Sequence, residues 1–276
     1  MLVIERQRVI LEQVRRKGVI TVRDAARTLG ANEVTVRRDL TVLARSGLIK
    51  RTRGGAVLPT GFGRKTVQQE QRATPAPEAI AIAIEAANLV GPGDSVTLGA
   101  GIATLALARE LTEVENLTVV TNSLLICEAL VDAPGVDLFL TGGSVQRSTM
   151  TLVGPSVEHS LRGLRTSIAF LSGDGLTALH GLSTSNLMVA TADRLVAAVG
   201  GRIVALVERP KIGFVSLCQI LPCRSIELVI TNTGADFDEL DRIKEVGVEV
   251  RTAVVDVNGP EWTNHQNAPG ASSLYM

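Results

Sequence analysis

The sequence predicts an α/β chain of two domains, a small helical one carrying a β-hairpin at the N-terminus and a larger one built on a parallel sheet. Three observations predict it. Helical apolar spacing across the first 46 residues gives way to two short apolar runs around Gly54 and Gly55. Residues 58–78, with three prolines among Gly, Gln and Thr, then lose all apolar periodicity. Beyond them, seven short β-branched runs alternate with helical stretches, the pattern of strands covered on both faces by crossover helices. At 276 residues, 45% of them hydrophobic, the chain is long enough for two cores.

The net charge of zero conceals a division. Residues 1–59 hold 13 Lys and Arg against 5 Asp and Glu, a balance of +8, which leaves 15 against 23, or −8, for the other 217. So basic a segment has the electrostatic footprint of a polyanion binder, and nucleic acid is the polyanion expected. No apolar run reaches the roughly 18 residues of a membrane span, and the opening "MLVIERQRVILEQVRRKG" is charged throughout. Neither a membrane segment nor a signal peptide is expected, and the chain reads as cytoplasmic. Cys127, Cys218 and Cys223 lack a CxxC spacing and read as buried thiols, with no disulfide framework, no metal site and no cofactor.

The elements follow in order. From Ile4 to about Arg16, Val9, Ile10 and Val14 share one face and Arg6, Glu12, Arg15 and Arg16 lie elsewhere, an amphipathic helix ended by Gly18. Thr21 stands three residues before Asp24 and caps a second helix whose Ala25, Ala26 and Leu29 face inward and whose stop is Gly30. After a two-residue turn, Asn32 caps a third helix from Glu33 to about Ser46. Val36, Leu40 and Leu43 form its buried stripe, with Thr35, Arg37, Arg38, Thr41 and Arg45 on the other side; Asp39 is expected to pair with an arginine. Two helices joined so tightly are a helix-turn-helix, and the hairpin after them, "LIKRTRGGAVL", makes it winged. Thr35, Arg37 and Arg38 are the candidates for base contacts, and Arg45, Lys50, Arg51 and Arg53 for phosphate contacts.

Residues 59–78 read as a linker. The expected strands are 95–98, 117–121, 136–142, 167–172, 202–208, 227–232 and 248–255, in a Rossmann-like parallel sheet over residues 79–256. Ligands of such sheets sit at the carboxyl ends of the strands, and the loops there are small and polar. "LGAGIATLAL" offers the backbone N–H groups from Gly101 to Thr104 at a helix start, and "TNS" offers Thr121, Asn122 and Ser123, the last able to serve only as a cap. "TGGSVQR" brings Gly143 and Arg147, "SGDGLTALHGLSTSN" brings Asp174, His180, Thr184 and Asn186, and "VERPKIG" brings Lys211. Five strand ends supplying polar groups point to a small-molecule cleft. The tail, 257–276, is polar and Pro/Gly-rich and reads as disordered.

Residues 4–58, above all "TVRRDLTVL" followed by "GLIKRTRGGA", resemble the DNA-binding half of the DeoR family of bacterial transcriptional regulators. Residues 79–256 resemble that family's sensor domain, similar in fold to ribose-phosphate isomerases, through "TNS", "LVGP", "HGLST", Asn186 and Lys211. The resemblance implies a homo-oligomeric repressor of carbohydrate or related metabolic genes. It implies that operator DNA is released when a sugar phosphate or a sugar or polyol binds the C-terminal domain. The family's first loop, of the form D-x-G-T-T-T, has Gly99, Ile102 and Ala103 here at its acidic and two hydroxyl positions. A lysine is replaced by Ala79 and an acidic pair by Met188 and Val189. A hydrogen bond to phosphate is worth about 1–3 kcal/mol, so three outcomes stay open: an unphosphorylated or more apolar ligand, a phosphate held by backbone groups and Lys211, or a sensor that has lost its ligand. An isomerase-like enzyme is the alternative of another class, with Asp174 or Glu208 as base and Lys211 as electrophile, against which stand the depleted first loop and the basic N-terminal half.

Overall fold

The computed structural model describes residues 6, 7, 9–11, 13, 14, 19–45, 49–52, 54–57 and 75–255. The linker core at 58–74, Arg53 and the tail beyond 255 lie outside them. The chain divides into two compact units, Met1–Lys65 and Thr66–Met276.

In the first unit, helix α1 is described at residues 6–7, 9–11 and 13–14. After it come β1 (Val19–Thr21), α2 (Val22–Leu29), α3 (Glu33–Arg45), β2 (Lys50–Thr52) and β3 (Gly55–Val57). The caps are those the residue types dictate. Thr21 Oγ1 accepts from the Asp24 N–H at 3.1 Å and donates to the Asp24 carboxylate at 2.7 Å. Gly30 closes α2 at φ +57°, and Asn32 Oδ1 accepts from the Thr35 N–H at 2.8 Å. Ile10, Val14, Ala25, Val36, Leu40, Leu43, Ile49 and Ala56 are buried in one core. Ala26 and Leu29 are only half-buried. Asp39, also buried, accepts from both Arg6 Nε and Arg6 Nη2 and from Gln7 Nε2, tying α1 to α3. The expected hairpin is present, but it is part of a three-stranded antiparallel sheet in the order β1-β3-β2. A Cβ at Gly55 would stand 2.1 Å from the Ile20 carbonyl oxygen, so only glycine lets β3 lie against β1.

The second unit opens with α4 (Pro77–Ala87), which starts inside the segment read as linker, with proline in its first turn. Then come β4 (Ser95–Leu98), α5 (Ile102–Glu110), β5 (Leu117–Thr121), α6 (Leu124–Leu130), β6 (Val136–Leu140), β7 (Ser144–Gln146), β8 (Thr151–Val153) and α7 (Pro155–Leu161). The remainder is β9 (Thr166–Leu171), β10 (Gly175–Thr177), β11 (Gly181–Thr184), α8 (Leu187–Ala198), β12 (Gly200–Leu206), β13 (Cys218–Leu221), β14 (Leu228–Asn232), α9 (Phe237–Glu245) and β15 (Glu249–Ala253). All seven expected strands are found, and they form one sheet in the order β15-β14-β12-β9-β4-β5-β6 with every pairing parallel. Helices α4, α5 and α6 share a core on one face and α7, α8 and α9 on the other. Strand order runs one way from β4 to β6 and the other way from β9 to β15, so the topological switch point lies between β4 and β9.

Two departures matter for the site. Residues 172–186, read as one loop, contain the antiparallel pair β10–β11, extended by β13 into a second small sheet. Residues 144–153 form a β7–β8 hairpin. The cysteines are free thiols, but only Cys223 is buried, while Cys127 and Cys218 are half-buried.

Candidate functional site

The N-terminal unit presents one polar helical face. On α3, Arg37, Arg38 and Thr41 are exposed while the opposite stripe is buried, and Thr35 is half-buried at the helix start. Val34 shares the outward face and is 76% exposed, an apolar side chain with no charge or polarity to mark it in the sequence. Arg37 pairs with Glu33 one turn back at 3.2 Å. Arg51 reaches from β2 to α3, its Nη1 donating at 2.9 Å to both the Arg37 carbonyl and Thr41 Oγ1. It was expected among the phosphate contacts; its placement makes it first a bracket holding the hairpin to the middle of α3. Lys50 is exposed on the same strand. Arg45 ends α3, and Arg53 lies outside the described residues.

The C-terminal unit gathers its polar groups at the switch point. Gly99 and Gly101 leave β4 with no side chain in the way: a Cβ at 101 would meet Ser172 Cβ at 2.5 Å, and one at 99 would meet Leu171 Cδ2 at 2.8 Å, with Asp193 Oδ1 next to it at 3.7 Å. Asn122 follows β5, Ser172 follows β9 and Asp193 comes from α8, and all three side chains are buried. Asn122 Oδ1, Ser172 Oγ and Asp193 Oδ1 have no hydrogen-bond partner among the described residues, nor do Thr141 Oγ1 after β6 and Thr231 Oγ1 in β14. A buried polar atom without a partner costs about 1–3 kcal/mol. Asn122, Ser172 and Asp193 come from the ends of β5 and β9 and from α8 beside the switch point, where one small ligand can satisfy all three, whereas Thr141 and Thr231 belong to strands five places apart, about 24 Å at ~4.8 Å per strand. Burial pushes the Asp193 carboxyl up to about 8; a hydrogen bond from Asn122 works against the shift and the nearby Asp174 charge adds to it.

The other expected residues divide. Asp174 accepts from the Ser185 N–H at 2.7 Å and from Thr184 Oγ1 at 3.1 Å on the rim of this crevice. Thr121 donates its proton to the Leu98 carbonyl at 2.7 Å and Thr104 to the Gly101 carbonyl at 3.1 Å, so both hold the loop backbone. Ser123 caps α6, as its capping reading allowed, and Asn186 caps α8 by accepting from two N–H groups. Lys211 Nζ is 2.6 Å from Glu208 Oε2. Gly143, at φ +140°, sits where a Cβ would be 2.8 Å from the Val153 carbonyl oxygen, so the β7–β8 hairpin itself requires it. Arg147 lies beyond Gln146 at the far end of that hairpin.

His180 corrects the expectation of a single cluster. The β10–β11 register pairs Gly175 with Ser183 and Thr177 with Gly181, which leaves His180 at the closed end of the hairpin and Asp174 at the open end. His180 instead lines a shallow depression of about 370 Å³ with Thr177, Ala178, Leu179, Glu239 and Arg242.

The family described as the DeoR C terminal sensor domain matches residues 76–233, and the DeoR-like helix-turn-helix domain matches residues 6–61. The chain belongs to the DeoR family. This DeoR-family chain is 30% identical to a protein of Escherichia coli O157:H7 named putative aga operon transcriptional repressor, over 89% of the chain and 92% of that protein. It is 32% identical to the HTH-type transcriptional regulator GolR of Listeria innocua over 90% of the chain and 98% of the relative, and 31% identical to UlaR of Salmonella arizonae over 89% and 97%. A solved ribose 5-phosphate isomerase A from Methanocaldococcus jannaschii covers 49% of the chain and 53% of its own length at 18% identity and TM-score 0.35, too slight a likeness to argue from. The DeoR-family chain is therefore a DNA-binding transcriptional regulator with a C-terminal sensor domain and not an enzyme. No helix among its described residues is long and apolar enough to cross a membrane.

Proposed function

We propose that this regulator acts in the cytoplasm as a homo-oligomeric repressor of carbohydrate or related metabolic genes. In this reading, α3 enters the major groove of operator DNA and a small metabolite seated at the β4–β9 switch point weakens that grip. Support for the helix comes from its one-sided chemistry. Arg37 and Arg38 suit guanine edges, Val34 suits a thymine methyl group, and Thr35 stands near the helix start where base contacts concentrate. Lys50, Arg45 and Arg53 neutralise phosphates, with Arg51 adding to them from its bracketed position. The single observation that carries the metabolite site is the set of three buried polar atoms without partners beside the switch point, Asn122 Oδ1, Ser172 Oγ and Asp193 Oδ1. The surrounding residues that would hold the ligand are Gly101, Thr104, Asn122, Asp174 and Thr184, with Lys211 on the rim. A ligand can release DNA only to the extent that it binds the DNA-free arrangement more tightly.

Fluorescence anisotropy on the promoter region of the protein's own gene, at fixed salt, tests the reading. Arg37→Ala and Arg38→Ala should each weaken specific binding by about 1–3 kcal/mol while hardly changing affinity for unrelated DNA. Arg53→Ala should weaken both alike and flatten the salt slope by about one unit. Unchanged specific affinity in Arg37→Ala and Arg38→Ala would remove α3 from base reading.

A further inference from the structure

We propose that the switch-point crevice takes an uncharged polyhydroxy ligand, a sugar or polyol without phosphate, and that Asp193 holds one of its hydroxyl groups. This rests on the reading of the crevice as the metabolite site and narrows its ligand class.

The side chains aimed at the crevice are neutral or acidic. Asn122, Ser172 and Asp193 each carry a buried atom without a partner, and none of them is cationic. The cations on the same rim are engaged: Lys211 with Glu208 at 2.6 Å and Arg209 with Glu78 at 3.9 Å. One feature favours an anion, the N-terminus of α5 beginning at Ile102. That end carries about half a positive charge. It faces Ser172, and the acidic side chains of Asp174 and Asp193 lie close enough to interact with each other beside it. Two acidic groups there offset that end's attraction for a phosphate.

Asp193 decides the chemistry more finely. Its Oδ1 lies beside the first loop, 3.7 Å from where a Cβ at Gly99 would stand, and has no hydrogen-bond partner among the described residues. The carboxyl is 2% exposed and next to Asn122, and its raised proton affinity keeps it largely in the acid form at neutral pH. A carboxylic acid both donates and accepts. A sugar hydroxyl needs both; a phosphate oxygen uses only the donor and suffers from the acceptor. The same group thus rewards one ligand class and penalises the other.

The test uses the full chain in calorimetry and thermal-shift titrations with hexitols, pentitols and free aldohexoses, set against the 6-phosphates of the same hexoses. At least one neutral compound should bind saturably, at least tenfold tighter than any phosphate ester. Asp193→Ala should lose tenfold or more in that affinity, with Asp193→Asn, which keeps a donor and an acceptor, retaining more of it. Tighter binding of a phosphate ester than of its free sugar overturns the proposal, as does silence across the whole neutral panel or full affinity in a folded Asp193→Ala protein. A phosphate ester that also releases operator DNA would leave metabolite control standing and sink only this ligand class. A neutral compound that binds without affecting the operator complex would do the reverse.

Discussion

Asp193 stands where α8 otherwise turns aliphatic side chains inward, on the stripe of Val189, Ala190, Val196 and Ala197. An acid at a core-facing position was visible in the sequence, but attention to strand ends passed over a residue delivered by a helix, and Ser172 was missed as the last residue of a strand. The expected polar loop residues proved easier to name than to assign. Thr121, Thr104, Ser123 and Asn186 spend their hydrogen bonds on backbone, because the loops that shape a crevice need their own N–H and C=O groups satisfied first. Asp193 also makes a prediction about pH. Its carboxyl sits near 3.8 in an unfolded chain and about 8 when folded. Below the lower value both states hold the proton, and above the upper neither does. Between them the folded protein keeps a proton that the unfolded chain releases, so this residue withdraws up to about 1.4 kcal/mol of stability per pH unit as pH rises. Asp193→Asn removes that loss. Urea denaturation at pH 5 and pH 8 should show the variant gaining on wild type at the higher pH, and an equal difference at both would mean that Asp193 is ionised in the folded state.

Elements differ in how far local sequence specifies them. The seven strands of the large sheet were legible because each is a short apolar run bounded by turn residues, and the inner ones are also largely buried on both faces, while the edges β6 and β15 are half-exposed. Caps at Thr21, Asn32 and Gly30 were legible because capping depends on residues two or three apart. Strands β1, β10, β11 and β13 were not, since each has three or four residues and exists only through partners distant in the chain. Placing β10–β11 as a hairpin is what separates His180 from Asp174. In the N-terminal unit, the Gly54–Gly55 pair reads as a turn in the sequence, but only Gly54 lies in it; Gly55 opens β3, paired with Thr52 on one side and Thr21 of β1 on the other. A Cβ at 55 meets backbone, and backbone cannot rotate aside as a side chain can. Gly55→Ala should therefore strip β1 from the sheet and destabilise the N-terminal unit by about 2 kcal/mol or more. Thermal unfolding followed by operator binding and by far-UV circular dichroism should show DNA binding lost at a lower temperature than in wild type. An unshifted loss would mean that β1 contributes nothing to holding the reading helix.

At the scale of the whole molecule, the division of charge into +8 over residues 1–59 and −8 over the rest separates two partners. The basic unit suits a polyanion whose grip depends on salt, and the acidic unit holds the crevice proposed for the ligand, lined by acids and hydroxyl groups. Coupling between them is a free energy, so it has to act in both directions. If the ligand weakens operator affinity by a given factor, operator DNA must weaken ligand affinity by the same factor, within the 1–3 kcal/mol, about 5–150-fold, usual for such coupling. Titrating the ligand into free protein and into protein saturated with operator DNA measures one side of this equality, and titrating DNA with and without saturating ligand measures the other. The two ratios should agree at matched salt, because phosphate contacts alone change DNA affinity steeply with ionic strength. A ligand that stabilises the protein against heat, by about 2.7 kcal/mol at 100 times its dissociation constant, yet gives a ratio of one in both titrations would occupy the crevice without controlling the reading helix. That result would place control of DNA release elsewhere in the chain while leaving the site at Asp193 intact.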